Sequence, residues 1–222
     1  MSEEIILGIN IFLLLCSGIG LVYGIREFYL EKAGIFPKLI VCALGCLVLY
    51  HLICILLMGV IHGIPIGFHL GVFLLCGAMI FLFCASFGHM DGLVDDGSKS
   101  FLKYRILAVA FPLLLLFVMV YVMGKIESAP NRMMLILFCF SIASSSYYHF
   151  KHVIIHDVEN GIMWSLRTFH RVMLCLEVLY TAAVAAQIFA SVPFVLITAV
   201  GIGAIYLAML PILKKGMEQW MM

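Results

Sequence analysis

Charge is what this 222-residue sequence has least of. Asp, Glu, Lys and Arg make up 11% of it, against 65% apolar residues and a mean hydropathy of +1.19. Soluble domains carry roughly 25% charged and about 45–50% apolar residues, so a water-covered globular surface is excluded. Disorder needs low hydrophobicity and nucleic-acid binding needs a basic face; a net charge of +1 on so apolar a chain supplies neither. The eight cysteines include no Cys-x-x-Cys and all fall within apolar runs, which excludes a disulfide scaffold and leaves them as small packing residues. No phosphate-binding loop, nucleophile elbow or redox motif occurs.

What the sequence has instead is seven long apolar runs, at residues 5–25, 36–61, 66–88, 106–124, 133–150, 172–190 and 193–212. Each meets the roughly 20 residues a helix needs to cross a bilayer core. Strand alternation is absent, and backbone groups in lipid must bond internally, so the runs predict helices. His62-Gly63-Ile64-Pro65 and Ala190-Ser191-Val192-Pro193 leave room only for tight turns. Asp95-Asp96-Gly97-Ser98 breaks the chain before the fourth run, and Ser128, Pro130 and Asn131 break it before the fifth.

Lys and Arg set the expected orientation. Eleven lie on one side: Arg26, Lys32, Lys38, Lys99, Lys103, Arg105, Lys151, Arg167, Arg171, Lys214 and Lys215; only Lys125 and Arg132 lie on the other. The expectation is an outside N-terminus and a cytoplasmic C-terminus, in a cell membrane. The acidic start Ser2-Glu3-Glu4 lacks the basic segment of a cleavable signal, so the first helix is expected to stay. Basic connections follow the first and fifth runs, and short turns ending in Pro follow the second and sixth. This rhythm predicts a 3+1+3 arrangement of two parallel triplets around a linking fourth helix. Only residues 216–222 follow Lys215, so signalling would need a separate partner protein.

Inside the runs, polar groups are few and therefore informative, because ionisable side chains at membrane depth are costly. Glu177 is the one acid within them; His170, Glu177 and Thr181, seven and four apart, share a helix face. His51 sits mid-run beside Tyr50, and His69 is placed one turn into the third run. Asn10 and Gln187 complete the set. His51, Glu177, Tyr50 and Tyr180 are the candidate ligand-binding residues, for a proton, a cation or a small polar solute.

Five histidines gather at the expected cytoplasmic side: His89, His149, His152, His156 and His170. His149, His152 and His156 follow one stripe if the fifth helix continues, with Asp157 and Glu159 adjacent. That pattern suits a Zn-like ion, which takes neutral imidazoles and carboxylates. His89 with Asp91, Asp95 and Asp96 could add a ligand from another loop. The strings Ser145-x-x-x-His149 and His152-x-x-x-His156 resemble those of the adiponectin-receptor and alkaline-ceramidase hydrolases, whose histidines hold zinc with help from Ser and Asp. The resemblance implies a metal-dependent intramembrane hydrolase. In those families the histidines come from distant helices; here they share one segment, and the seventh run has no histidine. A haem held by His51 and His69 requires matching depths, and His51 lies deeper. A retinal protein would need a lysine within the seventh run, where none occurs before Lys214.

The expected fold is an all-α bundle of seven transmembrane helices forming a single membrane domain. The first functional expectation is transport of a small solute or cation through an intramembrane polar site. The others are a ligand or metal sensor acting through a partner or a second copy, and the metal-dependent hydrolase.

Overall fold

The computed structural model describes residues 2–30, 33–61, 69–155, 161–189 and 191–221. The described chain is 90% helix, without strands. Seven of its helices are long and apolar enough to cross a membrane: α1 (Glu3–Tyr29), α2 (Ile35–Val60), α3 (Leu70–Val94), α4 (Lys99–Met123), α5 (Ala129–Ile154), α6 (Met163–Ile188) and α7 (Val192–Gln219). At about 1.5 Å per residue each reaches roughly 40 Å, beyond the roughly 30 Å hydrocarbon core.

Several helices outrun the apolar segments that announce them. α6 begins at Met163 rather than near residue 172, and α5 and α7 also extend further. An apolar run demands hydrophobicity all round, whereas a helix end needs only one buried face. In α6 that face is Met163, Leu166, Phe169 and His170, while Trp164, Thr168 and Arg171 point outward. His69 stands before the first turn of α3 as its N-cap, not within it. The expected turn at residues 62–65 lies outside the described residues. Pro112 interrupts α4 at Val109, since a proline cannot donate to the carbonyl four residues back.

Packing joins α1 to α2, α2 to α3, α3 to α5, α5 to α6, α6 to α7 and α7 back to α1. This closes a ring of six, with α4 outside it against α5 and α6. Matching contacts along the chain show that α1 and α7 run in the same direction. Gly20 meets Tyr206, Gly24 meets Leu210, and Glu27 pairs with Lys214. Small residues let the helices approach closely: a Cβ on Gly20 would stand 2.6 Å from the Tyr206 carbonyl oxygen.

Polarity is inverted relative to a soluble protein. Leu15, Ile19, Val60, Phe117, Phe140 and Val200 face outward, whereas Ser86, His149, Lys151, His152, His170 and Glu177 are buried. A large apolar exterior is stable against lipid and not against water. The chain is a multi-pass membrane protein.

Candidate functional site

Two polar clusters occupy the ring interior, both touching α6. The first lies toward the N-terminal end of α1. Its logic starts with Asn10, whose Nδ2 donates to the Ile6 carbonyl at 3.0 Å. The Asn10 Oδ1 is thereby turned to His51 Nδ1, 3.1 Å away, and can only accept. His51 thus carries its proton on Nδ1, and its Nε2 accepts from the Tyr206 hydroxyl at 3.2 Å. Tyr180 in turn donates to Tyr206. One directed chain of hydrogen bonds thus ties α6, α7, α2 and α1 together.

This chain borders a cavity of about 110 Å³, somewhat below the roughly 150 Å³ that accepts a benzene. Its polar lining is Asn10, Tyr50, His51, Tyr180, Gln187 and Thr198; the remaining wall is aliphatic. Tyr206→Phe would strand both His51 Nε2 and the Tyr180 hydroxyl. A loss of about 1–3 kcal/mol is expected in detergent unfolding curves, and a change under about 0.5 kcal/mol would show that the chain carries no stability.

The second cluster lies near the opposite end, where α3, α5 and α6 meet. Ser145, His149 and His152 are spaced four and three apart, so α5 turns all three inward, and all are buried. From α3, Ser86 and Asp91 both reach them. A residue five places along a regular α-helix would point about 140° away. Between Ser86 and Asp91, however, α3 widens into an i→i+5 turn, which returns the fifth residue toward the same side. The Ser86 hydroxyl lies 3.4 Å from His149 Nδ1, and Asp91 Oδ1 lies 3.3 Å from His152 Nε2.

α6 completes the cluster with His170 and Glu177, both fully buried. The Nδ1 atoms of His149 and His170 are 3.0 Å apart, so one donates and the other accepts. His149 Nε2 stands 3.9 Å from Glu177 Oε1, within ion-pair range but too far for a direct hydrogen bond. The ring centres of His152 and His170 are 4.7 Å apart. Ser145 is beside the Glu177 carboxyl without bonding it. Among the described residues, six buried atoms of this cluster therefore lack hydrogen-bond partners: both Glu177 oxygens, His149 Nε2, His170 Nε2, His152 Nδ1 and the Ser145 hydroxyl. Buried polar atoms are nearly always paired, and so many together mark this as the candidate site.

An ion-pair network closes the same end. Lys151, 3% exposed at its side chain, places its ammonium 2.6 Å from both Asp91 Oδ1 and Asp95 Oδ2. Arg105 adds a hydrogen bond from Nε to Asp95 at 2.7 Å and a second from its Nη2. Arg105, and after it Lys151, hold the Asp95 carboxyl well below the usual carboxylate range, against the opposing effect of burial. Gly97, at φ +81°, permits the turn in which Asp95 Oδ1 also accepts from the Gly97 N–H at 3.0 Å.

Of the residues singled out in the sequence, Tyr50, His51 and Tyr180 share the cavity, while Glu177 is placed with the histidines of α5 and α6. His149 and His152 lie in the second cluster, and His156 is outside the described residues. Among the described residues, no three of His, Cys, Asp or Glu are arranged to hold a metal ion. Tyr206 and Ser86 escaped notice, because a lone Tyr or Ser in an apolar run has no sequence signal; only the bundle gives them partners. No protein-family model, curated protein or solved structure matches the chain.

Proposed function

We propose that this protein carries a small cation, the proton included, or a small polar solute together with one, across a cell membrane. The observation behind this reading is the unmet hydrogen bonding around Glu177, His149 and His170 in the ring interior. A carboxyl with no partner on either oxygen, beside bare imidazole nitrogens, is costly as it stands and is relieved by an arriving positive species. The cavity at His51 lies at the other end of the bundle, and its Tyr180 is one helical turn from Glu177. Together they give a mobile species two stations along α6. The excess of Lys and Arg at the Asp95 end orients that end to the cytoplasm. The order of the ring supports two triplets, α1–α3 and α5–α7, linked by α4.

The test is charge displacement in proteoliposomes on a solid-supported membrane, with jumps of pH, Na⁺, K⁺, ammonium and Mn²⁺. At least one jump should give a transient current in the wild type, and Glu177→Gln should abolish it. Silence under every jump, or an unchanged current in the variant, would overturn the reading.

A further inference from the structure

We infer that the second cluster is a proton relay that runs from His152 through His170 and His149 to Glu177. This rests on the carrier reading above and names the proton as the species that the site takes up. The contacts narrow the starting tautomers to two sets, and the relay starts from one of them. Asp91 Oδ1 accepts from His152 Nε2–H, leaving His152 Nδ1 bare and unpartnered. Of the two ways to share one proton between the facing Nδ1 atoms, donation from His170 to His149 presents an N–H to the Glu177 carboxylate. It also leaves His170 Nε2 bare.

A proton arriving on His152 Nδ1 makes an imidazolium, steadied by the Asp91 carboxylate. The Nδ1–H bond then breaks as an N–H bond forms on His170 Nε2; the rings meet edge to face with centres 4.7 Å apart and neither nitrogen is hydrogen-bonded at rest, so this step needs one ring to turn toward the other. His170 passes its Nδ1 proton over 3.0 Å to His149 Nδ1. His149 gives its Nε2 proton to a Glu177 oxygen, for which the 3.9 Å gap closes by a small ring movement. His152 ends as it began, His170 and His149 have exchanged tautomers, and Glu177 has gained one proton. The reverse sequence releases it. Every atom that the relay needs free is one that the folded chain leaves unpartnered.

The surroundings leave Glu177 no competing cation among the described residues. α5 offers His149 and Ser145, and behind them His152 and Lys151, whose charge is taken by Asp91 and Asp95. On its own helix the titratable neighbours are His170 and Tyr180, whose hydroxyl is taken by Tyr206. The ammonium of α7, Lys214, is occupied by Glu27 on α1, and the guanidinium of α4, Arg105, by Asp95. Ser86 of α3 adds a hydroxyl that can follow either His149 tautomer.

Infrared difference spectroscopy of the detergent-purified full chain tests the relay directly. The wild type should show a protonated-carboxyl band that responds to bulk pH and shifts in D₂O, and Glu177→Gln should lack it. In His170→Phe and His149→Leu, deuterium should reach this band slower by about a hundredfold or more. Should His149→Leu fail to fold by circular dichroism, His170→Phe decides alone, since it leaves the His149–Glu177 pair in place. A wild type without the band at any pH, or wild-type exchange in the folded variants, overturns the relay. An exchanging carboxyl without ion currents would leave the relay standing and remove the carrier. Currents with a carboxyl that never exchanges would do the opposite.

Discussion

Lys151→Met is expected to lower the unfolding free energy by about 3 kcal/mol, measured in detergent micelles by denaturant titration. The lysine side chain is 3% exposed and its ammonium joins Asp91 to Asp95. Methionine keeps the packing volume of the stem and deletes the charge, so the loss reports on two partly buried carboxylates left short of a partner. Asp91 keeps His152, and Asp95 keeps Arg105 and the Gly97 N–H. Adding Asp91→Asn to the variant should recover part of the loss, because one stranded charge is then gone. A single variant within about 0.5 kcal/mol of wild type would show that the network contributes nothing. Acid should mimic part of the effect. The folded-state pKa of Asp95 is depressed, so its stabilisation is complete above about pH 4 and falls away as the pH drops further. In Arg105→Gln this acid sensitivity should shrink, since the first cause of the depression is removed.

Gly20→Val is expected to cost about 1–3 kcal/mol or more, with Gly18→Val as its control on the same helix. A side chain at Gly18 meets nothing within 4 Å, whereas one at Gly20 meets the Tyr206 backbone carbonyl at 2.6 Å. A carbonyl in the middle of α7 cannot swing aside like a side-chain tip, so α1 and α7 must separate. Separation pulls the Tyr206 hydroxyl away from His51 and should also loosen the hydrogen-bond chain beside the cavity. Thermal melts of the two variants check the contrast, and equal melting temperatures would refute the close contact.

The bundle was legible in the sequence because lipid demands long apolar runs, and those leave an unmistakable trace. The start of α6 was not. Arg167 and Arg171 dilute the apolar average, although His170 between them is completely buried. Glu177 stood out as the one acid in an apolar run, and its i, i+7 relation to His170 was readable from helix geometry. Its pairing with His149 was not, because that depends on which helices become neighbours. The reach of Ser86 and Asp91 to α5 depends on a wide turn in α3, which no residue pattern in Ser86-Phe87-Gly88-His89-Met90-Asp91 announces. Sequence reading thus found the groups that are expensive in lipid and missed those whose meaning comes only from a partner.

The outlying position of α4 matters through parity. α3 ends and α5 ends at the same depth, which is how Asp91 meets Lys151 and His152. Neighbouring helices joined by a short turn run in opposite directions and would set the end of one against the start of the other. A single intervening pass resets the count, so α3 and α5 become parallel neighbours that share a terminus. α4 needs to donate no side chain to the histidine cluster to be indispensable to it: a chain with one pass fewer would insert its second half upside down, and Glu177 would face the wrong side of the membrane.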